Sequence, residues 1–296
     1  MEKNTFRVSQ SSLAKCNDEN FDISDMYFNP AVCDCFPGVN YHSDTPIPEL
    51  VGQLVFPLGL TLSHEEKLPF FFTFVLTDVS RVKLFGAVLI VYELVDLSKL
   101  AEVAATAAAA SARKKQSGQA AEEFLARKLS LLSKNTVLYA PKALTVLSHY
   151  GFFHLFSLFL QQIYHVSLSS SPIPLERYIT NFAAELPLPP QGRTEIFFTL
   201  PEYSAQITRP PKNQLPRVDF SYRPLFTTLS TDNILTVFSL LCAETTVCIC
   251  SSNLALLTPV QEALLSFLFP FVWQVNILPK KKRIVCFSDA YGGLRW

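Results

Sequence analysis

Hydrophobic and polar positions change their spacing several times along this chain. Between residues 51 and 95 the runs VGQLVFPLGL, PFFFTFVLTD and KLFGAVLIVYELV are dense in aromatic and β-branched residues, the signature of extended segments. Val79, Ser80, Arg81 and Val82 separate the last two, which predicts an antiparallel hairpin within a strand meander. Residues 97–133 read differently. AEVAATAAAASARKKQSGQAAEEFLARKLSLL is Ala-rich and nearly free of Gly and Pro, hence helix-forming, with Gly118 as an interruption. Its first part has little to pack with and is expected as a solvated insertion. Its second part predicts a helix set by Phe124, Leu125, Leu129 and Leu132.

Two short extended pieces are expected around Pro141 in NTVLYAPKALTVLS. In HYGFFHLFSLFLQQIYH, Phe152, Phe156, Phe159, Leu160 and Ile163 recur at helical spacing, which predicts one apolar helix face. Residues 172–226 carry a dense series of prolines and predict ordered but irregular connections around one strand, EIFFTL. From residue 230 the pattern alternates: a helix in STDNILTVFSLLCAE opened by cap-type residues, a β-type run TTVCICS, a helix in TPVQEALLSFLFP, and extended FVWQVNIL. Such alternation argues for an α/β layer with right-handed crossovers.

Residues 256–279 hold one charge in 24 positions and are followed by Lys280, Lys281, Lys282 and Arg283, which is how a membrane span with a basic anchor looks. Thr258 to Gln261 matches a capping box with Pro259 at the first helical position, and Pro270 ends that helix after about three turns. Three turns reach roughly 16 Å, about half a hydrocarbon core of about 30 Å. A buried helix followed by a buried strand is therefore expected instead of a span. The basic run is read as a solvated end, with nuclear import or phosphate contact as the functional alternatives.

At 296 residues the chain is long enough for two domains. A hydrophobic fraction of 49% with 25 Phe requires a large core or a partner surface to absorb it. The 25 basic and 25 acidic residues cancel, so no global field favours nucleic acid or anionic lipid. The N-terminus has no apolar core of a signal sequence. The seven cysteines include no Cys-x-x-Cys, and reduced thiols in a cytoplasmic setting are expected.

Neither G-x-x-x-x-G-K-[ST] nor G-x-G-x-x-G occurs among the nine glycines, so neither usual phosphate cradle is present and no nucleotide cofactor is expected. The sequence also has no G-x-S-x-G and no H-E-x-x-H, which removes two readily seen hydrolase signatures. His149, His154 and His165 are not spaced as a metal pair. Cys248 and Cys250 share one face of a presumed strand, but a metal role needs more ligands than the neighbouring sequence supplies, so small core residues are the reading. Cys33 and Cys35, with His42 nearby, are treated alike. No catalytic residue and no metal ligand is assigned. ELPLPPQGR invites a PxxP reading, but Arg193 lies three places after Pro190 rather than two.

VGQLVFPLGLTL with FFFTFVLTDVSRVKLFGAVLIVYE, then YAPKALTVLSHYGFFHLFSLFLQQIYH, then the segments from PLERYITNFAAELPLPPQGR through RPPKNQLPRVDFSYRPLFTTLSTDNILTVFSLLCAE to LLTPVQEALLSFLFPFVWQVNILP, occur in order. Together they resemble the DENN domain family, whose members act on Rab GTPases. In the upstream module of that family a Phe-Pro strand precedes F-x-F-V-L-T-D, and a second strand is entered through L-F/Y-G.

The resemblance implies a two-lobed α/β architecture: an N-terminal longin-like lobe of sheet and helix, and a central α/β lobe, with a Rab held between them. Residues 1–50 would lead into the first lobe, 51–95 form the upstream module, 96–134 an Ala-rich insertion and 135–279 the central module. The tail 280–296 departs from the family's continuation, so a missing downstream module is expected. The implied activity is guanine nucleotide exchange on a Rab in vesicle trafficking, on the cytosolic face of vesicle or endosomal membranes, with at most peripheral membrane association. The alternative is a module that binds a Rab or another trafficking partner without exchange. No catalytic motif transfers residue by residue. The residues taken for the GTPase-binding surface are Asp78, Arg81, Asn181, Glu185, Arg209 and Arg223. For each of them a structural reading competes, as with Asp78 as a turn cap and Arg223 paired with Asp219 to hold a loop.

Overall fold

The computed structural model describes residues 24, 26–38, 51–57, 59–77, 82–96, 137–170, 172–192, 194–199, 202–211, 219–245, 247–271 and 278–280. Helices and sheets alternate in an α/β arrangement. The chain divides into two compact units, residues 1–70 with 90–143 and residues 71–89 with 144–296.

Strand β1 (Phe70–Thr77), β2 (Lys83–Leu94) and β3 (Tyr139–Ser148) form a three-stranded sheet in the order β1-β2-β3. The five residues between β1 and β2 leave no room for the crossover that parallel neighbours need, as the hairpin expectation requires. The Ala-rich segment and its helix lie outside the described residues.

Within the first unit, residues 51–55, expected as extended, instead form a one-turn helix, α1 (Val51–Val55). Val51 and Val55 are both buried, four residues apart on one helix face. A short apolar run reads equally as strand or helix, and burial of this pair decides it. Phe28 and Leu60 exchange both backbone hydrogen bonds at 2.8 Å, and Ser63 does the same with Tyr139. Met26, Phe28, Leu62, Val91 and Leu138 of this unit are buried.

The pieces expected on either side of Pro141 are one continuous strand, β3. The Tyr139 N–H and C=O both face Ser63. Backbone direction alternates along a strand, so the nitrogen of Pro141 points to that same outer side, where it interrupts no ladder to β2.

In the second unit, helix α2 (Phe153–Leu168) buries Phe156, Phe159, Leu160 and Ile163 as its spacing predicts, together with Phe153, Leu155 and Val166. Residues 172–226, expected as irregular around one strand, hold more order. Helix α3 (Leu175–Thr180) runs on as a π-helical turn, Asn181–Glu185. Strands β4 (Glu195–Thr199) and β5 (Ser204–Thr208) pair antiparallel, Phe197 opposite Gln206, and helix α4 spans Arg223–Thr228. One core joins α2 to this region: Leu155, Phe159 and Ile163 pack with Phe198, Ala205 and Ile207. Phe182 stacks on Phe159 with ring centroids 3.7 Å apart and planes 10° from parallel.

A second core joins α4, helix α5 (Thr231–Cys242), strand β6 (Cys248–Cys250) and helix α6 (Leu254–Ser266) through Leu225, Ile234, Val237, Leu241, Val247, Val260, Ala263 and Leu264. Ser230 caps α5, its hydroxyl accepting the Asn233 N–H. The cap expected at Thr258 is corrected: α6 begins at Leu254, and Asn253 caps it by accepting the Ala255 N–H at 3.0 Å. Thr258 lies a full turn inside and is buried. Strand β7 (Leu278–Lys280) pairs parallel to β6, with Cys248 opposite Leu278, so β6, α6 and β7 form the βαβ unit that the alternation predicts. Residues 272–277 of FVWQVNIL lie outside the described residues. Among the described residues no helix is long and apolar enough to cross a membrane.

Candidate functional site

Helix α3 and its π-helical turn set Arg177, Asn181 and Glu185 at successive four-residue steps, which places them on one face. The Glu185 carboxylate bridges the other two. Oε1 accepts from Arg177 Nη1 at 2.5 Å, and Oε2 accepts from Asn181 Nδ2 at 3.0 Å. The Arg177 hydrogen bond first, then that of Asn181, holds the Glu185 carboxyl below the usual carboxylate range. The group is fully exposed, so this arrangement fixes orientation more than it stabilises the fold. A π-helical turn is an uncommon device that recurs at functional sites. Here its inner side carries Phe182 into the core while its outer side presents the charged face.

Thus Asn181 and Glu185 stand together, and Arg177 is a third member that sequence reading missed. The signal was its spacing, which counts only once the proline-flanked segment is read as helix.

Arg209 is engaged within the fold. Its guanidinium lies 4.6 Å from the Tyr150 ring centroid, a cation–π geometry. Nη1 donates to the Pro189 carbonyl at 3.3 Å, and its own carbonyl accepts the Gly192 N–H at 2.9 Å. Gly192 adopts φ +147°, in the range that favours glycine. Arg209 therefore clamps the loop PLPPQG that leaves Glu185.

Arg223 is exposed at the first position of α4, where its backbone N–H donates to Ser221 Oγ. Asp219 accepts the His154 N–H at 3.0 Å, so its carboxylate sits at the N-terminus of α2, where the helix dipole favours it. Asp78 and Arg81 lie outside the described residues, as does His42.

Exposed aromatic and aliphatic side chains accompany the charged groups in this unit. Phe197, Phe226, Leu235 and Phe271 are 69%, 58%, 57% and 81% exposed. Among the described residues no set of three His, Cys, Asp or Glu could hold a metal ion. Nothing in this arrangement resembles a nucleophile with its base. The unit presents an exposed charged face on α3 and, separately, exposed apolar side chains on ordered backbone.

The DENN (AEX-3) domain model matches residues 139–281 and the uDENN domain model matches residues 30–91. The DENN domain and WD repeat-containing protein SCD1 of Arabidopsis thaliana is 30% identical over 143 residues, 48% of this chain. The match covers 12% of that relative's length. The two domain models follow each other in the family's order and together span well over half the sequence, and the chain belongs to the DENN domain family.

Proposed function

We propose that this protein is a guanine nucleotide exchange factor for a Rab-family small GTPase in vesicle trafficking. The observation that carries the reading is the ordered pair of uDENN and DENN domains. The missing phosphate-binding motifs fit it as well, since an exchange factor handles a nucleotide that its partner holds.

Exchange needs no covalent step. The factor binds the nucleotide-free GTPase more tightly than the GDP-loaded one, and linkage makes the GTPase bind GDP more weakly by the same ratio. Each ~1.4 kcal/mol of that difference weakens GDP tenfold. Asn181, Glu185 and Arg223 are the candidate polar contacts, joined by Arg177, with Arg209 holding the adjoining loop. Asp78 and Arg81 remain candidates at the β1–β2 turn. The protein acts in the cytoplasm, peripherally at vesicle membranes.

The test is release of fluorescent GDP from a broad panel of Rabs mixed with the purified chain. Acceleration for one or a few Rabs is the expected result. Retention of a Rab at an unchanged release rate would replace exchange by simple binding, and no retention in any nucleotide state would overturn both.

A further inference from the structure

Ser63 is the one serine or threonine of this sequence with acidic residues at both the second and the third following positions, in Ser63-His64-Glu65-Glu66. A kinase that selects substrates through a basic pocket beside its active site reads carboxylates at such positions, just after the acceptor hydroxyl.

The fold presents the stretch for that reading. Residues 64–69 are exposed and irregular, and they lead into β1. Ser63 itself is half-buried, and its Oγ accepts the Glu65 N–H at 3.2 Å, a turn that sets the hydroxyl beside the acidic pair. Its backbone is held by an isolated bridge: the N–H donates to the Tyr139 carbonyl at 3.0 Å, and the carbonyl accepts the Tyr139 N–H at 2.8 Å. Two hydrogen bonds outside a continuous ladder open locally more readily than a strand within a sheet, which lets a kinase draw the segment into its cleft.

We propose that Ser63 is the acceptor of an acidophilic serine/threonine protein kinase and that its phosphorylation opens the bridge to Tyr139. The transfer moves the γ-phosphoryl group of Mg-ATP to Ser63 Oγ, the hydroxyl proton passes to the base of the kinase, and ADP leaves. The phosphate carries about −1.5 to −2 charges at pH 7 and shares its short segment with the Glu65 and Glu66 carboxylates. Lys67, the lysine of that segment, has its ammonium 5.5 Å from the Tyr92 ring centroid. Repulsion among the phosphate and the two carboxylates is relieved when the segment leaves β3 and spreads into water. The Tyr139 N–H then loses its acceptor. None of this depends on exchange activity toward a GTPase.

The experiment is incubation of the purified full chain with casein kinase 2 and Mg-ATP, followed by mass-spectrometric mapping of the phosphate and hydrogen exchange of the Tyr139 amide. The expected result is phosphate at Ser63 and faster exchange at Tyr139. S63A should lose that label, and E65Q/E66Q, which keeps the hydroxyl and removes the charges, should lose most of it. No phosphate at Ser63 in the unaltered chain overturns the proposal, as does full labelling of Ser63 in E65Q/E66Q. A labelled chain whose Tyr139 amide exchanges no faster overturns it too.

Discussion

The hydroxyl of Thr258 donates to the backbone carbonyl of Thr73 at 2.6 Å, with both residues buried and 185 positions apart in sequence. This contact explains why a threonine stands inside α6. It secures the helix to β1, an outer strand of its sheet, by serving a carbonyl that burial shields from water.

Thr258→Val keeps the shape and removes the donor. The expected loss is about 1–3 kcal/mol, the usual result of leaving a buried acceptor unserved. Thr258→Ser, which keeps the hydroxyl, should lose less. Thermal or urea unfolding of the three proteins checks the ordering.

Gly86 of β2 lies beneath the Phe74 ring of β1, and a Cβ at that position would fall inside the ring's van der Waals surface. Gly86→Ala is expected to destabilise by about 1–3 kcal/mol, an overpacking cost that arises because the buried ring has little room to retreat. Pairing it with Phe74→Leu should recover part of the loss, measured as a double-mutant cycle.

Reversing the charge at Glu185 sets a cation against Arg177. Exposed pairs contribute little to folding, so Glu185→Lys should leave the melting temperature nearly unchanged. Exchange on the cognate Rab should slow. The charge-swapped R177E/E185K restores the pair, and continued slow exchange in that variant would show that the GTPase reads the residues themselves rather than their mutual bridge.

Glu262 on α6 has Oε1 shut off from solvent without a partner, and burial raises its carboxyl above the usual range against the opposing pull of Lys83. A raised folded pKa favours the folded state below the unfolded value and loses that advantage as pH rises through the folded one. Glu262→Gln removes the charge, so its melting temperature relative to the unaltered protein should be higher at pH 8 than at pH 4. An equal difference at both values would contradict the assignment.

The sequence disclosed most where one physical signal acted alone. The apolar face of α2 follows from the spacing of Phe156, Phe159, Leu160 and Ile163, and the motif L-F-G that marked the upstream module is explained by the Phe74 ring over Gly86. It misled where two signals competed. Thr258-Pro-Val-Gln261 satisfies a helix-start pattern, yet Asn253 already caps the helix, and the threonine serves a tertiary contact. Prolines 172, 174 and 187 masked the helical spacing of Arg177, Asn181 and Glu185. Val51 and Val55 required knowledge of what buries them. Of the candidate residues, Arg209 was legible as important through its proline-rich surroundings, but its hold on Tyr150 and Pro189 depends on a fold that brings together residues 59 and 20 positions apart.

Pro141 also bears on how the protein behaves in a crowded cell. An exposed strand margin is a template onto which a foreign strand can add, and sheet proteins that stay monomeric blunt such margins. Along the outer side of β3, Ser63 occupies the place opposite Tyr139, and two residues on the ring of Pro141 withdraws the next donor. A foreign strand arriving there finds the first position taken and the second mute, which guards this hydrophobic chain against aggregation through that margin.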